Sequence, residues 1–275
     1  MVALLMSQSR FKAVGSLSRN DLNAGWARAL RAMRHAINML RSNVGIDSPA
    51  LLSSPLAHVA LGCWAEKREY RPSGDEVALM CRYILMAYAK DRWSRGASES
   101  TVDQGLAVLP DGGGPQQLLD RLISQVGQLE IHPGDLEGRN SRSALFKTMF
   151  LAFAEDGAQD WWSKLAISVK HAGAQDRLQF HHIFSKAYLR KCDPDIKGSL
   201  VDDIANLAFM GGKANRSISD GAPSGYLTKL AIEQSESLST QQVPLASDMY
   251  DFDHYEEFFR ERLVLIAQRL NTFMA

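Results

Sequence analysis

The chain has 275 residues, of which 45% are hydrophobic and 23% charged, with 31 Lys and Arg balanced by 31 Asp and Glu. This is the make-up of a soluble globular protein with room for one large domain or two ordinary ones. Zero net charge excludes a global positive field that would announce a nucleic-acid partner. The charge is unevenly spread, however. Residues 1–45 carry seven Lys or Arg against one acid, Asp21, and the last thirty residues lean acidic, from Asp248 to Glu261. That asymmetry is either a basic face for phosphates or a set of solvated helix faces. The odd, widely spaced cysteines Cys63, Cys81 and Cys192 form no C-x-x-C pair, so inert thiols in a reducing cytoplasm are expected. Met1–Met6 lacks the basic start and long apolar run of a signal peptide. Met149–Ala154, the densest apolar stretch, is too short to cross a bilayer.

Taken in chain order, most of the sequence reads as helix. From Ser18 to Leu40, apolar Leu22, Trp26, Leu30, Met33, Ile37 and Leu40 recur every three or four residues, which predicts one continuous buried stripe ending near Gly45. Arg28, Arg31, Arg34 and Arg41 lie beside or opposite it, as a phosphate-tracking row or as ordinary surface. Ser73-Gly-Asp-Glu76 is a capping box opening a helix towards Trp93. Pro110-Asp-Gly-Gly-Gly-Pro115 is a loop, since no Gly-Lys-Ser/Thr follows to make a phosphate cradle. Helices are predicted at 115–127, 142–155 and 253–273.

The texture changes near residue 177. Leu178–Phe184 and Ile204–Met210 are short apolar runs suited to strands, Gly211-Gly212 is a turn, and a helix is expected from Ala214 to Ser219. A loop at Pro223 precedes another helix at 224–236. The expected fold is mainly α: a helical domain over 1–175, a small ββα unit at 176–230, and a C-terminal helix within 231–275 that packs on the helical body.

His181 and His182 end the first run. Side chains alternate along extended backbone, so the two rings point to opposite sides. One imidazole can hold a metal ion while its neighbour, titrating near neutrality, accepts a proton from water. That division suits phosphodiester hydrolysis. The segments Phe180-His-His-Ile-Phe-Ser-Lys186, Ile204-Ala-Asn-Leu207 and Lys213-Ala-Asn-Arg-Ser-Ile-Ser-Asp-Gly-Ala-Pro223 together resemble the HNH nuclease family. They look most like the nuclease region at the C-terminus of modification-dependent (type IV) restriction enzymes.

The resemblance implies a ββα-metal nuclease unit. In it His181 and Asn215 are metal ligands, His182 is the general base, and Asn206 ties the loop in place by hydrogen bonds. Lys213 and Arg216 would flank the scissile phosphate. It further implies a divalent cation, Mg²⁺ or Mn²⁺, and a DNA substrate cut in defence against foreign or modified DNA, with RNA as the alternative polymer. No membrane association is expected. Full-length relatives begin with a nucleotide-binding half carrying Asp-Gly-Gln-Gln-Arg, which this chain lacks. The chain therefore resembles the nuclease half alone, as a separate subunit, a shortened homologue or a fragment. A degenerate module docking on a nucleotide-binding partner is the alternative function. A homodimer would supply the two active sites that double-strand cutting requires.

Two departures stand out. Ser185 occupies a position where the family usually has Pro, which loosens a turn without removing a catalytic group. The loop Lys186–Asp203 is long and carries Asp193, Asp195, Asp202 and Asp203, expected to be solvated rather than ligands. His35, His58, His132, His171 and His254 lack partners at ligand spacing. Trp26, Trp64 and Trp93 are expected in the core, and Trp161 and Trp162 at a hinge before the nuclease unit.

Overall fold

The computed structural model describes all residues except 1, 7–10, 94–97, 110–112, 172–177 and 213–220. It is mainly helical, with one two-stranded sheet among the described residues. No described helix is long and apolar enough to cross a membrane. The chain forms two compact units, Met1–Leu129 and Glu130–Ala275. The division therefore falls well before the expected boundary at 175, and the residues from Glu130 onward belong with the strands.

The first unit holds α1 (Val2–Met6), α2 (Arg19–Val44), α3 (Leu56–Lys67), α4 (Gly74–Ala89), α5 (Ser98–Leu106) and α6 (Pro115–Val126). Two of the helix starts expected from sequence carry capping boxes. Ser18 exchanges hydrogen bonds with Asp21, and Ser73 does so with Glu76. Gly45, at φ 74°, ends α2 in the left-handed conformation that glycine adopts without strain.

The face that α2 buries differs from the expected one. Trp26 is 62% exposed, and Leu30, Met33 and Ile37 each about 40%. The buried row is Gly25, Ala29, Ala32, Ala36, Met39, Leu40 and Val44. The reason is closeness of approach. Small side chains let α3 come so near that a Cβ built on Gly62 would sit 3.2 Å from the Ala32 Cβ. Shape, rather than hydrophobicity alone, selected the buried face. Ala32→Leu is accordingly expected to cost about 1–3 kcal/mol through overpacking, whereas Trp26→Ser should stay within about 0.5 kcal/mol. Urea denaturation of both variants checks the contrast, and equal losses would contradict it. Trp64 and Trp93 are in the core as expected, the latter edge-on to Tyr83 and Tyr88.

The second unit contains α7 (Pro133–Leu136), α8 (Ala144–Glu155), β1 (Leu178–His182), α9 (Lys186–Cys192), α10 (Gly198–Val201), β2 (Leu207–Gly211), α11 (Pro223–Glu233), α12 (Ser235–Ser239) and α13 (Tyr255–Phe273). The strands pair antiparallel, with His181 opposite Ala208 and His182 opposite Leu207. The helix expected at 214–219 lies outside the described residues. Helix α13 packs against α7 and α8 within this same unit.

A two-stranded ribbon is marginal by itself, and here side chains from elsewhere hold it. Phe209 of β2 packs on Phe146, Phe150 and Phe153 of α8, with ring centroids 4.9 to 6.0 Å apart. Along the same strand, three side chains bond backbone groups of alternate residues. Arg262 donates to Leu207 O at 2.8 Å. Gln241 accepts from Phe209 N at 2.8 Å and donates to Phe209 O at 2.9 Å. Asp160 accepts from Gly211 N at 2.5 Å. These bonds fall at positions 207, 209 and 211, whose backbone polar groups face away from β1 if Asn206, Ala208 and Met210 bond to it. The hydrogen bond from Ile183 N to Asn206 O, 2.9 Å, sets that alternation. The edge is thereby closed to further strand pairing.

Candidate active site

The site is built at the end of β1. His181 is 3% exposed, and its ring meets Tyr226 of α11 with centroids 6.2 Å apart. His182 faces a different neighbourhood. Its Nε2 lies 2.9 Å from Asp202 Oδ1, and Lys186 Nζ donates to the same oxygen at 2.6 Å. The side chain of His182 is 24% exposed, so solvent reaches it. The expectation that adjacent strand residues separate the two rings is met.

Asn206 lies fully buried at the end of the short 3-10 turn Ile204–Asn206 that leads into β2. Its Oδ1 accepts from Phe184 N at 2.8 Å, while Nδ2 donates to Phe184 O at 3.0 Å and Val201 O at 2.9 Å. The side chain thus pairs with Phe184 much as another strand residue would, and extends the ladder past His182. Cutting this amide would leave buried donors and acceptors without partners. Tyr226 fixes the next carbonyl: its hydroxyl donates to Ile183 O at 2.7 Å. Burial pushes its phenol above the usual range.

Ser185 replaces the expected proline with a different device. Its Oγ accepts from Tyr188 N at 3.1 Å and caps α9, so the turn after the histidines is set by a cap rather than by a ring.

The acidic loop is not merely solvated. It contains α9 and α10, and three of its four aspartates accept hydrogen bonds, Asp193 from Asp195 N at 3.0 Å. Asp202 bonds His182 and Lys186, and Asp203 is 1% exposed, accepting from Gly138 N at 2.6 Å and Ala205 N at 2.8 Å. No spacing rule marks Asp202 or Tyr226 in the sequence, because both reach the site only through the fold.

Electrostatics at the neighbouring carboxyls Asp202 and Asp203 run in opposite directions. Burial, the largest influence, holds the His182 imidazole below its ordinary value; Asp202 pulls it back up and Lys186 pushes it down. Lys186 holds the Asp202 carboxyl below the usual carboxylate range, and His182 adds to the effect. Asp203 is pushed up to about 6 by burial, which outweighs its two backbone donors. A carboxyl raised on folding binds its proton more tightly in the native state. Its contribution is complete below the unfolded value near 3.8 and is lost as pH rises through about 6. Stability measured by urea should therefore fall between pH 4 and 6 on Asp203's account, and Asp203→Asn should flatten that slope.

Lys213, Asn215 and Arg216 lie outside the described residues. Among the described residues no three His, Cys, Asp or Glu side chains come together to hold a metal ion. Arg28, from the first unit's arginine row, is engaged by Glu66 at 2.8 Å and 2.9 Å, and Arg31 lies 4.2 Å over the Tyr70 ring. Two of the four arginines are thus already engaged by neighbours. Cys63 is buried and its thiol pushed up to about 12, Cys81 is half-buried and pushed up to about 11, and Cys192 is exposed. Trp161 is fully buried instead of sitting at a hinge.

No family model, curated protein or solved structure matches the chain.

Proposed function

We propose that the chain is a divalent-metal-dependent HNH-type endonuclease that hydrolyses DNA phosphodiester bonds, in restriction of foreign or modified DNA. What supports this is the pair of adjacent imidazoles in different surroundings at the end of one pinned strand. His181 is enclosed against Tyr226, and His182 is solvent-reachable and oriented by Asp202. The order of residues around them, with Asn206 and Asn215, is the second support.

A carboxylate can only accept, so the 2.9 Å contact with Asp202 puts the His182 proton on Nε2. The lone pair then resides on Nδ1, the atom that takes a proton from the attacking water. Burial favours the neutral imidazole, the form a base needs. Asn206 keeps the backbone after His182 from moving, which holds the geometry on which proton transfer depends. His181 and Asn215 would hold Mg²⁺ or Mn²⁺ together with water. The amide oxygen and water suit a hard cation that keeps several waters; the imidazole nitrogen is a softer donor, better matched to Mn²⁺ than to Mg²⁺. The ion supplies charge stabilisation for the phosphate and leaving oxygen. Lys213 and Arg216 would add positive charge beside it.

Supercoiled plasmid, unmodified or carrying hydroxymethylated or glucosylated cytosine, incubated with Mg²⁺ or Mn²⁺ tests the reading. Nicking or linearisation that EDTA abolishes is expected. Intact plasmid of every type, at enzyme excess, would refute it.

A further inference from the structure

Trp161 and Trp162 are neighbours with opposite environments. The indole of Trp161 is fully buried and donates from Nε1 to Ser237 O at 3.1 Å, whereas Trp162 is 40% exposed. The turn that presents Trp162 is held firmly. Asp160, itself only 4% exposed, accepts from the backbone N–H of Trp162 at 2.9 Å and Ser163 at 2.6 Å, and from Gly211 at the end of β2 at 2.5 Å. Lys164 follows at φ 61°, a strained conformation for a residue with a side chain. Its Nζ donates to Gln234 Oε1 and to Ser237 Oγ.

From this turn the exposed indole reaches the site by ring contacts. Trp162 meets Tyr226 with centroids 6.2 Å apart, and Tyr226 meets His181 at the same separation. The Tyr226 hydroxyl is bonded to Ile183 O, so the relay is tied to the residue that follows His182. A rigidly mounted, solvent-facing indole two ring contacts from the candidate metal ligand is more than the hydrophobic core requires. Such a ring offers stacking without demanding any particular base.

We propose that Trp162 is a stacking platform for an unpaired nucleobase of the nucleic acid whose backbone lies at His181 and His182. The position of that backbone rests on the nuclease reading; the platform itself rests on the mounting and exposure of the indole. The two ring contacts span a gap that a few stacked nucleotides cross, at about 3.4 Å each. Base faces inside a duplex are hidden, so the platform favours single-stranded or locally opened substrate.

The test uses the whole chain in EDTA, where no cutting occurs, with a short labelled oligothymidine and a labelled hairpin duplex read by fluorescence anisotropy. Trp162→Ala is expected to raise the single-strand Kd about tenfold, with duplex affinity changing less than about twofold. Trp162→Phe should recover most of the loss, because a phenyl ring also stacks. Melting curves of both variants confirm that the exposed substitution leaves the fold intact. The proposal is overturned if the alanine variant binds single strands as wild type does, if phenylalanine fails to rescue, or if wild type binds none. Plasmid cleavage separates the two ideas. Cutting without dependence of binding on Trp162 removes the platform alone, whereas Trp162-dependent binding without cutting removes the nuclease reading alone.

Discussion

His182→Ala is expected to lower the metal-dependent cleavage rate by about 10²- to 10⁴-fold, the loss typical of a missing general base. The imidazole is both solvent-reachable and oriented, with Nε2 fixed 2.9 Å from Asp202 Oδ1. Its removal takes away the acceptor while leaving His181, on the other side of the strand, in place. The pH profile sharpens the prediction. A base works deprotonated, so the rate should rise with pH through the His182 titration and level off. Burial sets that acid limb below the ordinary imidazole value of 6.5. Asp202 opposes burial, so Asp202→Ala should move the limb to still lower pH while lowering the plateau, since nothing then selects the tautomer. Initial rates of plasmid nicking across pH 5–8 read both effects. A His182→Ala variant that cuts like wild type would end the assignment of the base.

Arg262→Met is expected to cost about 3–5 kcal/mol, a large part of a domain's stability. The guanidinium is fully buried on α13 and has no carboxylate within reach among its hydrogen-bond partners. Four backbone carbonyls surround it instead: Ala205 at 2.7 Å, Leu207 at 2.8 Å, Gln241 at 3.1 Å and Gln242 at 3.2 Å. Burial, the dominant influence, pushes its pKa down to about 9, so it remains charged at neutral pH. Methionine keeps most of the hydrocarbon volume but leaves those carbonyls without donors. The start of β2 and the turn carrying Asn206 would lose their anchor together. A thermal shift of roughly 10 °C is expected, and cleavage should fall in step with the loss of structure around Asn206. If Arg262→Met melted with wild type, the carbonyls would have to be satisfied in another way.

Local chemistry was legible in the sequence wherever one segment decides its own structure. The capping box at Ser73–Glu76, the long helix from Ser18, the run at Leu178–His182 and the final helix near Tyr255 are set by neighbours three or four residues away. Periodicity located the α2 helix but chose the wrong face. Trp26, Leu30, Met33 and Ile37 are the more hydrophobic row, yet the alanine row allows the closer approach to α3. Nothing within α2 itself encodes how near its neighbour will come.

The same division runs through the candidate site. His181, His182 and Asn206 were readable because their order and spacing carry a motif, and strand alternation alone separates the two rings. Asp202, Tyr226, Asp160 and Arg262 were not, since each reaches its partner across 20 to 57 residues of chain. A residue's type tells what it can bond; only the packed chain decides what stands opposite it. Tertiary structure therefore converted a surface-like aspartate into the partner of an imidazole, and a helical arginine into the anchor of a strand. Burial removed competing water from the arginine, whereas the aspartate stays half exposed and is held by Lys186 as well as by His182.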